Sequence, residues 1–194
     1  MVTSTNSNAY WAVIPAAGKG SRMASETPKQ YLPLAGKAVI EHTIQVFIEH
    51  PKISGVVVVI ASDDSMWPEI RMTFEAQTMI AIGGAERCHS VLSGLDVLQP
   101  RVTPQDWVLV HDAARPCLRA ADIDRMIDEL SGHSCGGILA APVRDTLKRC
   151  SVDGEVEQTV DRTRLWHALT PQMFRFEVLR NAIEIALNNE LIAT

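Results

Sequence analysis

The sequence predicts an α/β fold, a doubly wound and mainly parallel sheet, and three observations predict it. Short apolar runs, Trp11 to Ile14, Val56 to Ile60, Met79 to Ile82, Trp107 to Val110 and Gly137 to Val143, alternate with stretches whose apolar residues recur at helical spacing. The run Val56-Val57-Val58-Val59-Ile60 is continuously apolar, as a strand covered on both faces requires. Each candidate ligand-binding motif falls directly after such a run, at a strand's carboxyl end, where open α/β sheets bind their ligands.

Composition sets the outer bounds. The 194 residues are 46% hydrophobic, enough for one well-buried domain over 1–194, and no stretch resembles a linker. A formal charge of -5 without a long basic stripe argues against nucleic-acid binding. The longest strongly apolar run, Val56 to Ala61, is far too short for a membrane span, so a soluble protein is expected. Met1 to Ala9 is small and polar, with neither a basic start nor an apolar segment; it reads as a tail, and secretion is not expected. Cys88, Cys117, Cys135 and Cys150 lack C-x-x-C spacing and read as reduced, buried thiols of a cytoplasmic protein. The six histidines are dispersed, with no pair at metal-ligand spacing on one helix.

The first strand, Trp11 to Ile14, carries the β-branched and aromatic residues that favour a buried strand, then breaks into Pro15-Ala16-Ala17-Gly18-Lys19-Gly20. Small residues let the backbone approach a ligand closely, and consecutive amides in such a turn can form a nest for a phosphate. Lys19, Arg22, Lys29 and Lys37 follow in a segment whose one acid is Glu26. A P-loop is excluded by spacing, because Gly20 follows Gly18 after one residue and is succeeded by Ser21-Arg22. A dinucleotide fingerprint needs a small residue where Met23 stands, together with a ribose-binding acid that has no clear counterpart. A tight turn with solvated lysines is the bland alternative.

Ile40, Thr43, Ile44, Phe47 and Ile48 mark the first helix, and Ser54-Gly55 turns into the second strand. Asp63 to Ala76 reads as a short helix interrupted near Pro68, followed by the third strand. Gly83-Gly84-Ala85-Glu86-Arg87-Cys88-His89-Ser90 comes next, where paired glycines can bring amides to an anion at a helix N-terminus or simply make the connection. Cys88, Val91, Leu92, Leu95 and Leu98 trace that helix. The fourth strand ends in His111-Asp112-Ala113-Ala114-Arg115-Pro116. Asp112 can hold Mg²⁺ by one carboxylate and Arg115 can grip an anion; the alternative is an Asp–Arg ion pair closing a loop. His111 is assigned no role. Ile123, Met126, Ile127 and Leu130 mark a helix ending near Gly132, before the fifth strand.

The pattern then changes. Thr146 to Cys150 and Glu155 to Val160 flank Ser151-Val152-Asp153-Gly154, a hairpin signal with charge on both faces. With little apolar surface it is either a loose surface loop or an arm that docks on another subunit. Asp161 to Gln172 returns the chain to a last helix carrying Phe176, Leu179, Ile183 and Leu187.

Ala16-Ala17-Gly18-Lys19-Gly20-Ser21-Arg22-Met23, then Pro28-Lys29, resembles the signature of nucleotidyltransferases that activate sugars and alcohols. Gly83-Gly84 with Glu86-Arg87 and Ser90, His111 to Pro116, Ala141-Pro142-Val143 with Asp145-Thr146, and Trp166 to Gln172 narrow the resemblance. Together they look like the 2-C-methyl-D-erythritol 4-phosphate cytidylyltransferases, from about Trp11 onward. The resemblance implies a Rossmann-like domain with a projecting β-arm, here 146–165, that pairs across a homodimer. It implies transfer of CMP from CTP to methylerythritol phosphate with Mg²⁺, in the non-mevalonate route to isoprenoid precursors, in the cytoplasm or a plastid stroma.

By the same resemblance, Arg22, Lys29 and Arg162 are catalytic. Pro15, Ala16, Ala17, Gly18, Gly20, Arg22, Lys29, Gly83, Gly84, Ser90, Asp112 and Ala113 bind the nucleotide. Asp112, Arg115, Thr146, Arg162 and Thr170 hold the acceptor, and Asp112 binds the metal. Ala85 departs from the family, where that position is often acidic. Related sequences continue past the position of Thr194 with a strand and a helix bearing a lysine, so that part of the family fold is expected to be missing. The other readings are a guanylyltransferase loading a molybdenum cofactor, a dehydrogenase, and an inactive relative. Nothing in the first calls for His111 to Pro116, the second needs the fingerprint excluded above, and the third is expected to have lost Lys29 or Asp112.

Overall fold

The structure, a computed structural model, describes residues 8–18, 27–74 and 76–191. In chain order the elements are β1 (Tyr10–Pro15), a 3₁₀ turn (Lys29–Tyr31), the short strands β2 (Pro33–Leu34) and β3 (Lys37–Ala38), α1 (Val39–Ile48), β4 (Ile53–Ile60) and α2 (Trp67–Phe74). There follow β5 (Thr78–Ile82), α3 (Arg87–Leu98), β6 (Trp107–Val110), α4 (Ala120–Leu130) and β7 (Gly136–Pro142). The chain then forms β8 (Leu147–Cys150), β9 (Val156–Val160), β10 (Trp166–Arg175) and α5 (Phe176–Asn188).

The main sheet has the order β5-β4-β1-β6-β10-β7. β1 pairs in parallel with β4 and β6, and β4 with β5, while β10 runs antiparallel to both of its neighbours. The period-two geometry of a strand divides the side chains between two cores. Ala12, Ile14, Val56, Val58, Trp107 and Leu109 face one side, where α1, α2 and α4 bring Phe47, Trp67 and Ile123. Val13, Val57, Val59, Val108 and Val110 face the other, against Val91 and Leu95 of α3 and Phe176 of α5. Helices on both faces of a mainly parallel sheet are the doubly wound arrangement that the apolar runs predicted.

Three sequence expectations are corrected. α2 is not interrupted at Pro68: the proline stands in the first turn, where its missing N–H leaves no bond unmade, and Asp64 Oδ1 accepts from the Met66 and Trp67 amides at 3.1 and 3.0 Å to start the helix. Trp166 to Gln172 is not merely a return segment but most of β10, a strand inserted between β6 and β7. The cysteines are not buried, since Cys117, Cys135 and Cys150 are exposed and Cys88 partly so.

The hairpin forms as expected, with β8 and β9 antiparallel and paired only with each other. Its turn runs Ser151 to Gly154, closed by the Gly154 amide on the Ser151 carbonyl at 3.0 Å, with Gly154 at φ 86°. Among the described residues, no helix is long and apolar enough to cross a membrane.

Candidate active site

From β1 the chain moves outward to β4 and β5, then returns past β1 to place β6 on its other side. The crevice at the carboxyl ends of β1 and β6 is therefore the switch point where such sheets bind ligands. Backbone bonds carry the sheet into the loops: Ala16 N–H donates to Val59 O at 2.7 Å, Gly83 N–H to Ile60 O at 2.8 Å and His111 N–H to Val13 O at 3.0 Å. Three loops thus leave the sheet in fixed directions, and the cleft between them measures about 930 Å³.

Pro15, Ala16, Ala17, Gly18, Lys29, Gly83, Gly84, Ser90, Asp112, Ala113 and Arg115 all line this cleft. Thr170 sits beside it, in the register break of β10 between Ala168 and Gln172, where its Oγ1 accepts from the Asp112 amide at 3.4 Å. Thr146 and Arg162 do not line it: both are exposed near the ends of the arm. Gly20 and Arg22 lie outside the described residues.

The loops are held against one another. A Cβ on Gly83 would stand 2.4 Å from Ala17 Cβ and 2.8 Å from Ser90 Oγ, so only glycine lets the first two loops touch. Gln30, 4% exposed, donates from Nε2 to Ala16 O at 2.7 Å and Gly18 O at 3.2 Å, fastening the small-residue turn. Thr43 Oγ1 donates to Ala113 O at 3.0 Å and His111 Nε2 to Arg115 O at 3.0 Å, so the third loop is pinned from beneath. His111 is buried, its ring tilted against Phe47 at 5.4 Å, and burial pushes its pKa down. It supports the loop without facing the cleft.

Asp112 is the electrostatic centre. Oδ1 accepts from Arg87 Nε at 3.1 Å and Nη2 at 3.0 Å, and Oδ2 accepts from Arg115 Nε at 2.9 Å. Burial pushes this carboxyl up, but the two guanidiniums outweigh it and hold it below the ordinary carboxylate value. The ion pair weighed from the sequence is therefore real, and it lies inside the cleft. Each guanidinium commits only part of its five N–H donors to Asp112, and the trio carries net positive charge.

Arg87 and Gln30 were not among the expected site residues. The available signals were an arginine in the first turn of a helix that follows paired glycines, and an amide directly after Lys29. A turn of small residues, exposed Lys29, two arginines and one carboxylate suit a polyanion such as a nucleoside triphosphate.

Comparison with known proteins agrees. The chain matches the 2-C-methyl-D-erythritol 4-phosphate cytidylyltransferase family over residues 10–194. It is 51% identical over 182 residues to the protein of that name from Ectopseudomonas mendocina, covering 93% of this chain and 77% of the relative. It is likewise 51% identical over 187 residues to that from Pseudomonas aeruginosa, covering 96% and 80%. The solved cytidylyltransferase from Francisella tularensis superposes with a TM-score of 0.79 and 31% identity, over 96% of this chain and 83% of that one. A solved 4-diphosphocytidyl-2C-methyl-D-erythritol synthase gives 0.80 and 36%, over 91% and 79%. Matched along nearly its whole length and built around the same kind of sheet, the chain belongs to the 2-C-methyl-D-erythritol 4-phosphate cytidylyltransferase family.

Proposed function

We propose that this chain transfers the cytidylyl group of CTP to the phosphate of 2-C-methyl-D-erythritol 4-phosphate, releasing pyrophosphate and giving 4-diphosphocytidyl-2-C-methyl-D-erythritol. The observation that carries this reading is the meeting of Ala16 to Gly18, Lys29, Gly83-Gly84 and the Arg87–Asp112–Arg115 trio in one cleft, in a chain whose relatives bear that name. The acceptor oxygen belongs to a phosphate, already an anion, so no general base is required. It attacks the α-phosphorus while the bond to the β-phosphate breaks, and the obstacle is charge crowding and in-line placement. Lys29, with Arg22, stabilises the charge that develops on the leaving pyrophosphate. Ala16, Ala17, Gly18, Gly84 and Ser90 cradle the nucleotide, and Arg115 and Thr170 orient the acceptor.

Asp112 fits a divalent cation as one ligand: of about four lone-pair positions on a carboxylate, three accept N–H bonds here, which leaves room for one further contact. Mg²⁺ bound there with the nucleotide phosphates would screen their charge. Because two guanidiniums surround Asp112, the metal should arrive with the nucleotide rather than before it.

The arm is read as a dimerisation element. Its strands bury little within the chain, Val152 and Val156 are exposed, and Trp166 beside it is 61% exposed. An arm of this kind brings Thr146 and Arg162 to the acceptor pocket of a second copy, which accounts for their distance from the cleft of their own chain.

The test is pyrophosphate release and product formation by the purified chain with Mg²⁺. Turnover should require both CTP and the acceptor and should stop on chelation. Release without acceptor, or an equal rate with GTP, would overturn the assignment.

A further inference from the structure

Three side chains of different chemistry meet where α3 begins. The Glu86 carboxylate, Cys88 Sγ and a ring nitrogen of His89 all lie within 4.8 Å of one another. Cys88 Sγ is 3.9 Å from Glu86 Oε2 and 3.7 Å from His89 Nδ1. Around a tetrahedral zinc, with Zn–S about 2.3 Å and Zn–N or Zn–O about 2.0 Å, neighbouring ligand atoms stand about 3.5 Å apart. The two separations from the sulfur are within a few tenths of an ångström of that requirement, and the carboxylate and imidazole stand no more than 4.8 Å apart.

We propose that Glu86, Cys88 and His89 form a binding site for a divalent cation of the zinc class at the rim of the cleft, with the fourth position left to water. The donor set decides the class of ion. Thiolate and imidazole favour zinc or cobalt, whereas magnesium takes oxygen ligands and is poorly served here. Binding forms the metal–sulfur bond as the thiol proton passes to solvent. The positive end of α3 opposes a cation, and the combined charge of carboxylate and thiolate offsets it. The sulfur is thus essential rather than one donor among equals.

Gly84 leaves the room that His89 occupies, since a Cβ there would stand 2.5 Å from His89 Cβ and 3.3 Å from Cγ. The site is separate from Asp112, whose oxygens face Arg87 and Arg115, and it stands whether or not the cleft performs the proposed transfer.

Co²⁺ titrated into the reduced full chain, without nucleotide, is the direct test. One equivalent should bind with a thiolate-to-cobalt charge-transfer band and the intense visible absorption of a tetrahedral ion. Zn²⁺ should displace it and Mg²⁺ should not. Cys88→Ser should abolish the charge-transfer band, and His89→Gln should weaken binding about tenfold or more, beyond what loss of a supporting hydrogen bond costs at its mildest. Combined replacement of Cys117, Cys135 and Cys150 by serine should leave the spectrum unchanged. Circular dichroism establishes that each variant is folded, and His89→Gln reads the same site should Cys88→Ser fail to fold. A band that survives Cys88→Ser, one lost with the other cysteines, or no stoichiometric binding by the unmodified chain would overturn the proposal.

Discussion

Lys29 stands at the first position of a 3₁₀ turn, exposed and facing the cleft, so its removal should disturb chemistry far more than folding. If its charge meets the pyrophosphate mainly in the transition state, Lys29→Ala should lower kcat by about a hundredfold or more, with unchanged thermal stability. A rise in KM alone would assign it to ground-state binding. His111 makes the opposite case, a buried group that acts on stability. Burial lowers its pKa from 6.5 in the folded chain, so on acidification the unfolded chain takes up the proton first. Its contribution is therefore complete above about pH 6.5 and is lost as pH falls toward the lowered folded value. Urea midpoints taken stepwise from pH 7.5 to 5 should fall, and His111→Gln should flatten that slope even if it lowers stability throughout. Residue identity was legible where a type carries its own chemistry, as with Lys29 and Asp112. That Asp112 is held from two loops was not, because the Arg87 contact spans 25 positions of sequence.

The strands and helices of the β-α alternation were readable because each has a period of its own and is buried on a predictable face. β10 was not readable. Its sequence Trp166 to Arg175 contains Thr170-Pro171, and proline has no N–H to give to a ladder. The structure absorbs it in a register break between Ala168 and Gln172, flanked by pairing on both sides. The strand ends on Arg175, 9% exposed, which lies over the Trp107 ring at 3.9 Å. Its guanidinium donates to Gln105 O at 2.6 Å, Ser131 O at 3.0 Å and His133 O at 3.3 Å. One side chain thus ties β10 to the start of β6 and the end of α4. Arg175→Met keeps the bulk but leaves those carbonyls without their donor. It should cost about 2–4 kcal/mol, read as a lower urea midpoint, and lower Tm by roughly 5–15 °C. Arg175→Lys should recover only part of this, because an ammonium cannot reproduce the planar fork.

At the scale of the whole molecule, the position of the cleft follows from topology, since strands that cross over on either side of β1 must leave a crevice between β1 and β6. What topology within one chain does not supply is a route for Arg162 to that crevice. Arg162 follows β9 on an exposed arm and lines no part of the cleft. Next to the arm in sequence, Leu165 and Trp166 expose apolar surface, the kind of surface that the proposed second copy is read as covering. If two copies exchange arms as proposed, each pocket takes Lys29 from one chain and Arg162 from the other. Lys29→Ala and Arg162→Ala, each nearly inactive alone, can then be unfolded together and refolded as a random mixture of dimers. Half of the dimers are mixed, and in each of these one pocket carries both defects while the other carries neither. Roughly a quarter of the unmodified activity should return. If Arg162 instead serves its own chain, every pocket retains one defect, and activity should not exceed that of the two variants measured separately, with subunit exchange verified by native mass spectrometry.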